Sequence, residues 1–104
     1  MEPKVSNKTE LIYRLESNAT RIRSFGIHRI SIFGSFAHNT NIHSSSDVDF
    51  ILDFSPGKKT FDNLVDLGDF LEELLGRKVE LLTRESLKSS TGKYILSTAQ
   101  DILI

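Results

Sequence analysis

The 104-residue chain is 38% hydrophobic and has a formal net charge of −1, which limits it to one domain, residues 1–104, around a single core. It has no cysteine, so disulfides and thiolate-bound zinc are excluded, in keeping with a reducing cytoplasm. Neither the opening "MEPKVSNKTE" nor any later apolar run approaches the roughly 18 residues of a membrane span, so a soluble, cytoplasmic protein is expected.

The first expected element is an amphipathic helix from Thr9 to Phe25, with Leu11, Leu15, Ala19, Ile22 and Phe25 at helical spacing and Gly26 placed to stop it. "HRISIF" then alternates as a strand ending at Gly34, and the polar stretch from Phe36 to Ser46 allows one helical turn followed by a loop. "DVDFILDF" (47–54) is a second strand, closed by the turn residues Ser55-Pro56-Gly57. Thr60 can cap a helix running to Leu75, with Gly76 as its stop. On a helical wheel Phe61, Leu64, Val65, Leu71 and Leu75 form its core stripe, Leu67, Phe70 and Leu74 widen that stripe beyond what one core needs, and Asp62, Asp66, Asp69 and Glu73 lie opposite. "KVELL" is a third strand, "RESL" one helical turn, "KYILSTAQ" a short helix and "DILI" a terminal strand or tail. This order predicts an α/β (α+β) fold in which helices pack on a small mixed β-sheet.

Residues 44–75 hold eight acids against the two bases Lys58 and Lys59, a negative centre suited to a metal ion or a basic partner. Lys and Arg form no cluster interleaved with aromatics, so direct nucleic-acid binding is not expected. His28, His38 and His43 lack paired metal spacing and read as surface or turn residues, Tyr13 and Tyr94 as packing residues, and Lys58 and Lys59 as a solvated loop tip.

Chemistry concentrates in "IFGSFAHNTNIHSSSDVDFIL", residues 32–52. Gly34-Ser35 stands where a strand gives way to a helical turn, so free backbone N–H groups and a hydroxyl there favour a phosphate. Asp47 and Asp49 alternate on one face of the next strand, about 6.6 Å apart along the backbone, and two carboxylates so close want a cation. Magnesium takes one or two carboxylates and completes its shell with water and substrate phosphates. A pair of such ions about 3.5–4 Å apart can clamp a displacement at phosphorus, for which Glu80, the acid interrupting "VELL", is the candidate third ligand.

Taken together, Gly34, Ser35, Asp47, Asp49 and Glu80 resemble the motif of the minimal nucleotidyltransferase family, the smallest members of the DNA polymerase β-like nucleotidyltransferase superfamily. The likeness runs from the first helix to about Thr83. It implies the nucleotidyltransferase fold, two magnesium ions held by Asp47, Asp49 and Glu80, β- and γ-phosphates held by Gly34 and Ser35, and transfer of AMP from ATP to an acceptor hydroxyl. It also implies a partner, because short members of the family pair with a HEPN-domain toxin and act as the antitoxin, adding AMP to a toxin tyrosine to block its ribonuclease activity. A non-catalytic antitoxin acting by binding, and a small-molecule nucleotidyltransferase, are the alternatives. The chain departs from the pattern in having His38-Asn39 where relatives commonly carry Arg-Gly, a slightly longer connection to Asp47, and Glu rather than Asp at position 80; Asn39 can still adopt the left-handed conformation.

Overall fold

The computed structural model describes residues 3–104. Asn18 divides the expected 9–25 helix into α1 (Lys8–Ser17) and α2 (Ala19–Arg23). Its backbone leaves the helical region at φ −116° and ψ 23°, and its side-chain amide donates to the Arg14 carbonyl at 2.8 Å. An Asn that bonds nearby backbone in this way competes with the helix ladder. Leu11, Leu15 and Ile22 are nevertheless all buried, as the helical spacing predicts.

The remaining elements are β1 (Ile27–Phe33), α3 (Gly34–His38), β2 (Val48–Phe54), α4 (Phe61–Leu75), β3 (Val79–Thr83), a 3₁₀ turn (Arg84–Ser86), α5 (Ser90–Thr98) and β4 (Gln100–Ile102). The sheet runs β3-β2-β1-β4. Strand β1 pairs antiparallel with both β2 and β4, whereas β2 and β3 are parallel. A parallel pair needs a crossover, and α4 supplies it. The expected mixed sheet with packed helices is therefore the observed one, and the "DILI" segment contributes an edge strand. No helix among the described residues is long and apolar enough to cross a membrane.

Strand alternation gives the two sheet faces different work. Ile30, Ile32, Val48, Phe50 and Leu52 join Leu11, Leu15, Ile22, Phe36 and the α4 leucines in the main core. The α4 stripe differs from the wheel reading. Leu67, Leu71 and Leu75 are buried, while Phe61 is 78% and Val65 41% exposed. Leu71 and Leu75 are thus core as expected, and Leu67, counted as excess, joins them at the centre of the stripe, each contributing about 1.5–3 kcal/mol by burial. Tyr13 and Tyr94 are likewise exposed rather than packed.

On the other sheet face Ile51 is fully buried, and Leu87 is buried beside the turn into α5. The 3₁₀ turn contacts β2, and α5 contacts β1. Gly92 permits this cover, because a Cβ there would lie 2.6 Å from the Leu87 carbonyl carbon. Gly92→Ala must push α5 off Leu87, at a cost of about 1–3 kcal/mol. A melting temperature lowered by several degrees, with far-UV circular dichroism unchanged below the transition, is the expected result; an unaltered melting temperature would refute the contact.

Candidate active site

Strand β1 ends at Phe33, whose Cα partner across the antiparallel ladder is Asp49. Gly34 follows with φ +74°, and a Cβ on it would meet Asp49 Oδ2 at 2.4 Å. Glycine is thus required twice, by its left-handed backbone and by the carboxylate packed against it. Asp49 in turn has Glu80 as its Cα partner on the parallel strand β3. The expected site residues Gly34, Asp49 and Glu80 therefore stand abreast on three neighbouring chain segments. Ser35 is the second residue of α3, whose N-cap, Phe33, offers no side-chain hydrogen bond to the opening N–H groups. Those donors are the orphan groups of any helix start.

The Asp49 carboxyl is pushed up to about 6, first by burial, then by the negative charges of Glu80 and Asp47, and by a side-chain hydrogen bond with Glu80. Asp47 precedes β2 and is exposed, so it acts on Asp49 through charge, while Glu80 also touches it. The cations of this sheet face are engaged elsewhere. Arg84 Nε lies 2.8 Å from Asp53 Oδ2, and Arg29 Nε lies 3.6 Å from carboxylate oxygens of both Asp53 and Asp101. Asp53 shares the Asp49 face by alternation, a placement legible from the sequence but not anticipated as part of the surroundings.

Sequence reasoning missed Arg77, which follows the α4 stop and reads as an ordinary surface base. It is only 8% exposed. Its Nη1 donates to the carbonyls of His43 (2.9 Å) and Ser46 (2.8 Å), and its Nε to the Val5 carbonyl (2.6 Å). The guanidinium carbon lies 5.0 Å from the Phe36 ring centroid. Arg77 thus fixes the loop end that delivers Asp47. Asn39 adopts the expected left-handed conformation, with φ 55° at the end of α3, while its side-chain oxygen accepts from the Lys8 N–H at 3.0 Å.

A half-buried carboxyl raised by burial and by neighbouring acids is chemically suited to a hard divalent cation, which would relieve the repulsion. Asp49 and Glu80 are placed to hold one. No group of three His, Cys, Asp or Glu side chains gathers as a metal cage among the described residues, and magnesium commonly takes only one or two carboxylates.

A family model described as a nucleotidyltransferase domain matches residues 15–103. The chain belongs to that family. A candidate protein adenylyltransferase of Methanocaldococcus jannaschii is 42% identical over 78 residues, covering 75% of this chain and 82% of that protein. The protein adenylyltransferase MntA of Thermococcus cleftensis is 38% identical over 74 residues, covering 69% and 71%. Among solved structures, a candidate minimal nucleotidyltransferase superposes with a TM-score of 0.76 at 26% identity, over 94% of this chain and 96% of that one. A toxin–antitoxin crystal structure with AMP-PNP gives a TM-score of 0.62 at 20% identity, over 93% and 73%, a likeness of fold alone. The nucleotidyltransferase domain with its mixed sheet, expected from the motif, is the one found.

Two measurements check the geometry. Gly34→Ala should cost about 2 kcal/mol or more, from its backbone and from the Asp49 clash; equal denaturation midpoints for variant and wild type would contradict the close approach. Asp49→Asn tests the charge. Because the folded carboxyl titrates at about 6 rather than at 3.8, folding favours its protonated form, so stability present at low pH is lost as pH rises from near 4 through 6. The variant should therefore melt higher than wild type at pH 7–8, with the advantage gone near pH 4. Parallel melting curves across that range would place Asp49 at an ordinary carboxylate value.

Proposed function

We propose that this nucleotidyltransferase is an antitoxin that moves AMP from ATP to a tyrosine hydroxyl of a cognate HEPN toxin, neutralising the toxin's ribonuclease activity. The observation that carries the reading is the meeting of Gly34, Asp49 and Glu80 on adjacent segments, a phosphate-suited turn packed against a cation-suited carboxylate pair. The two relatives named as protein adenylyltransferases support the acceptor class, and the shared fold of the toxin–antitoxin structure supports the partner.

In this reading Gly34 and Ser35 hold the β- and γ-phosphates through backbone N–H groups and the serine hydroxyl. Asp47, Asp49 and Glu80 are the ligands for two magnesium ions, which when bound would neutralise phosphate charge and lower the pKa of the attacking hydroxyl. The acceptor oxygen bonds to the α-phosphorus in line with the breaking bond, whose electron pair leaves on pyrophosphate, and the hydroxyl proton passes to solvent. Asp47 and Glu80 are exposed, so a hydroxyl carried on a partner can reach them. A soluble, cytoplasmic setting belongs to the same reading.

Mixed with its toxin, ATP and magnesium, the protein should render the toxin heavier by one or more AMP units in intact-mass measurement. Glu80→Gln should retain ATP binding and reduce transfer by orders of magnitude, since the lost charge matters chiefly at the reacting centre. A toxin suppressed in a stable complex at its unmodified mass would replace the enzyme reading with neutralisation by contact.

A further inference from the structure

Arg77 is buried without a carboxylate. No ion pair involves it among the described residues, and desolvation lowers its pKa from the usual arginine value. Its Nε and Nη1 are used on the backbone carbonyls of Val5, His43 and Ser46. Its Nη2 has no hydrogen-bond partner among the described residues, where no fully buried side-chain nitrogen or oxygen lacks one. Nη2 therefore reaches a surface, and Arg77 lines a cavity of about 470 Å³ between the N-terminal segment, the Ser44–Ser46 loop and the Gly76–Lys78 turn, together with a smaller adjoining groove.

The rest of the lining matches. Lys4 Nζ donates to the Ser44 carbonyl at 2.7 Å, which leaves it two further N–H donors facing the loop. Lys78 is exposed and enters no ion pair among the described residues. Ser46 Oγ accepts from the His43 N–H at 2.9 Å, so its own O–H remains available. Against these three cations stands one lining carboxylate, Asp47. Glu72, which borders the adjoining groove, is turned to the Val79 N–H at 3.0 Å. A solvent-reaching guanidinium edge on an otherwise buried arginine, two ammonium groups and serine hydroxyls around one space are the donor set for a tetrahedral oxyanion with several equivalent acceptors.

We propose that this cavity is a phosphate-binding site, in which Arg77 Nη2, Lys4 and Lys78 hold a phosphoryl group beside Asp47. The site is distinct from Gly34-Ser35 and depends on no transfer chemistry. Its phosphate can be the far end of a bound nucleotide's tail, in which case Gly34-Ser35 would not hold both terminal phosphates, or can come from a separate phosphorylated ligand. Both present the same oxyanion, and one competition experiment tells them apart.

The test is titration of the full ¹⁵N-labelled chain with inorganic phosphate and with pyrophosphate at fixed ionic strength. Saturable amide shifts are expected at Ser44–Asp47 and Gly76–Lys78. Lys4→Ala combined with Lys78→Ala should weaken that binding roughly tenfold or more, as loss of charge-assisted hydrogen bonds implies, with melting temperature and the Gly34 and Ser35 amides unchanged. Arg77→Lys, which keeps a charge and loses the fork, should also bind more weakly. Repeating the titration with AMP-PNP and magnesium at saturation identifies the source: shifts abolished mean the nucleotide tail, shifts retained mean a separate ligand. The absence of saturable shifts at these amides, or an unaltered affinity in the double variant, overturns the proposal. Either result is independent of whether the protein transfers AMP.

Discussion

The absence of a side chain at Gly34 is the constraint on which the site rests. Asp49 Oδ2 occupies the space a Cβ would need, so the phosphate-suited turn and the acidic strand are one packed unit rather than two loops that happen to be near. The β1–β2 register enforces this by pairing Phe33 with Asp49, and a slip by one residue would turn every inward side chain of β2 outward. The core face prevents the slip, since Val48, Phe50 and Leu52 are all fully buried opposite the acids. Burial on one face of the sheet thus positions chemistry on the other.

That chemistry is a local shortage of positive charge. Arg29 and Arg84 are committed to Asp53 and Asp101, which leaves Asp47, Asp49 and Glu80 without a cationic partner among the described residues. Burial first, and then this repulsion, raises the pKa of Asp49. A protein selected for stability alone would remove it with an amide. Retaining it favours a site that an external cation completes, consistent with membership of a nucleotidyltransferase family, and perturbed carboxyls of this kind concentrate where function demands them.

Most of the fold was legible because the elements that carry the site have strong local signals. The alternation of "HRISIF" and "DVDFILDF" gave β1 and β2 within a residue or two, and Thr60 and Gly76 bound α4 as cap and stop. The motif residues then fell at strand ends whose adjacency follows from the sheet. Other features depended on tertiary contact. Nothing local distinguishes Asn18 from a helix-interior residue, although its side chain interrupts the first helix. The α4 wheel was broad enough to be turned either way, and only packing against the sheet selects Leu67, Leu71 and Leu75 over Phe61 and Val65. Arg77 was invisible because burial of a charged residue is an exception that sequence pattern cannot announce.

Arg77 ties together the chain on either side of the acidic strand's start. After the Gly-Ser turn this chain has His38-Asn39. The left-handed backbone stays at Asn39, whose side chain gains a bond to the start of α1. A guanidinium, that of Arg77, arrives from the β3 side of the sheet. It lies over Phe36, next to Ser35, and holds the carbonyl of Ser46, next to Asp47. One buried cation therefore spans both halves of the motif across the longer connection between them. The group that orders the loop also lines, with Asp47, the neighbouring cavity. The division of charge is spatial: carboxylates gather at the strand ends, and basic side chains line a cavity one step away.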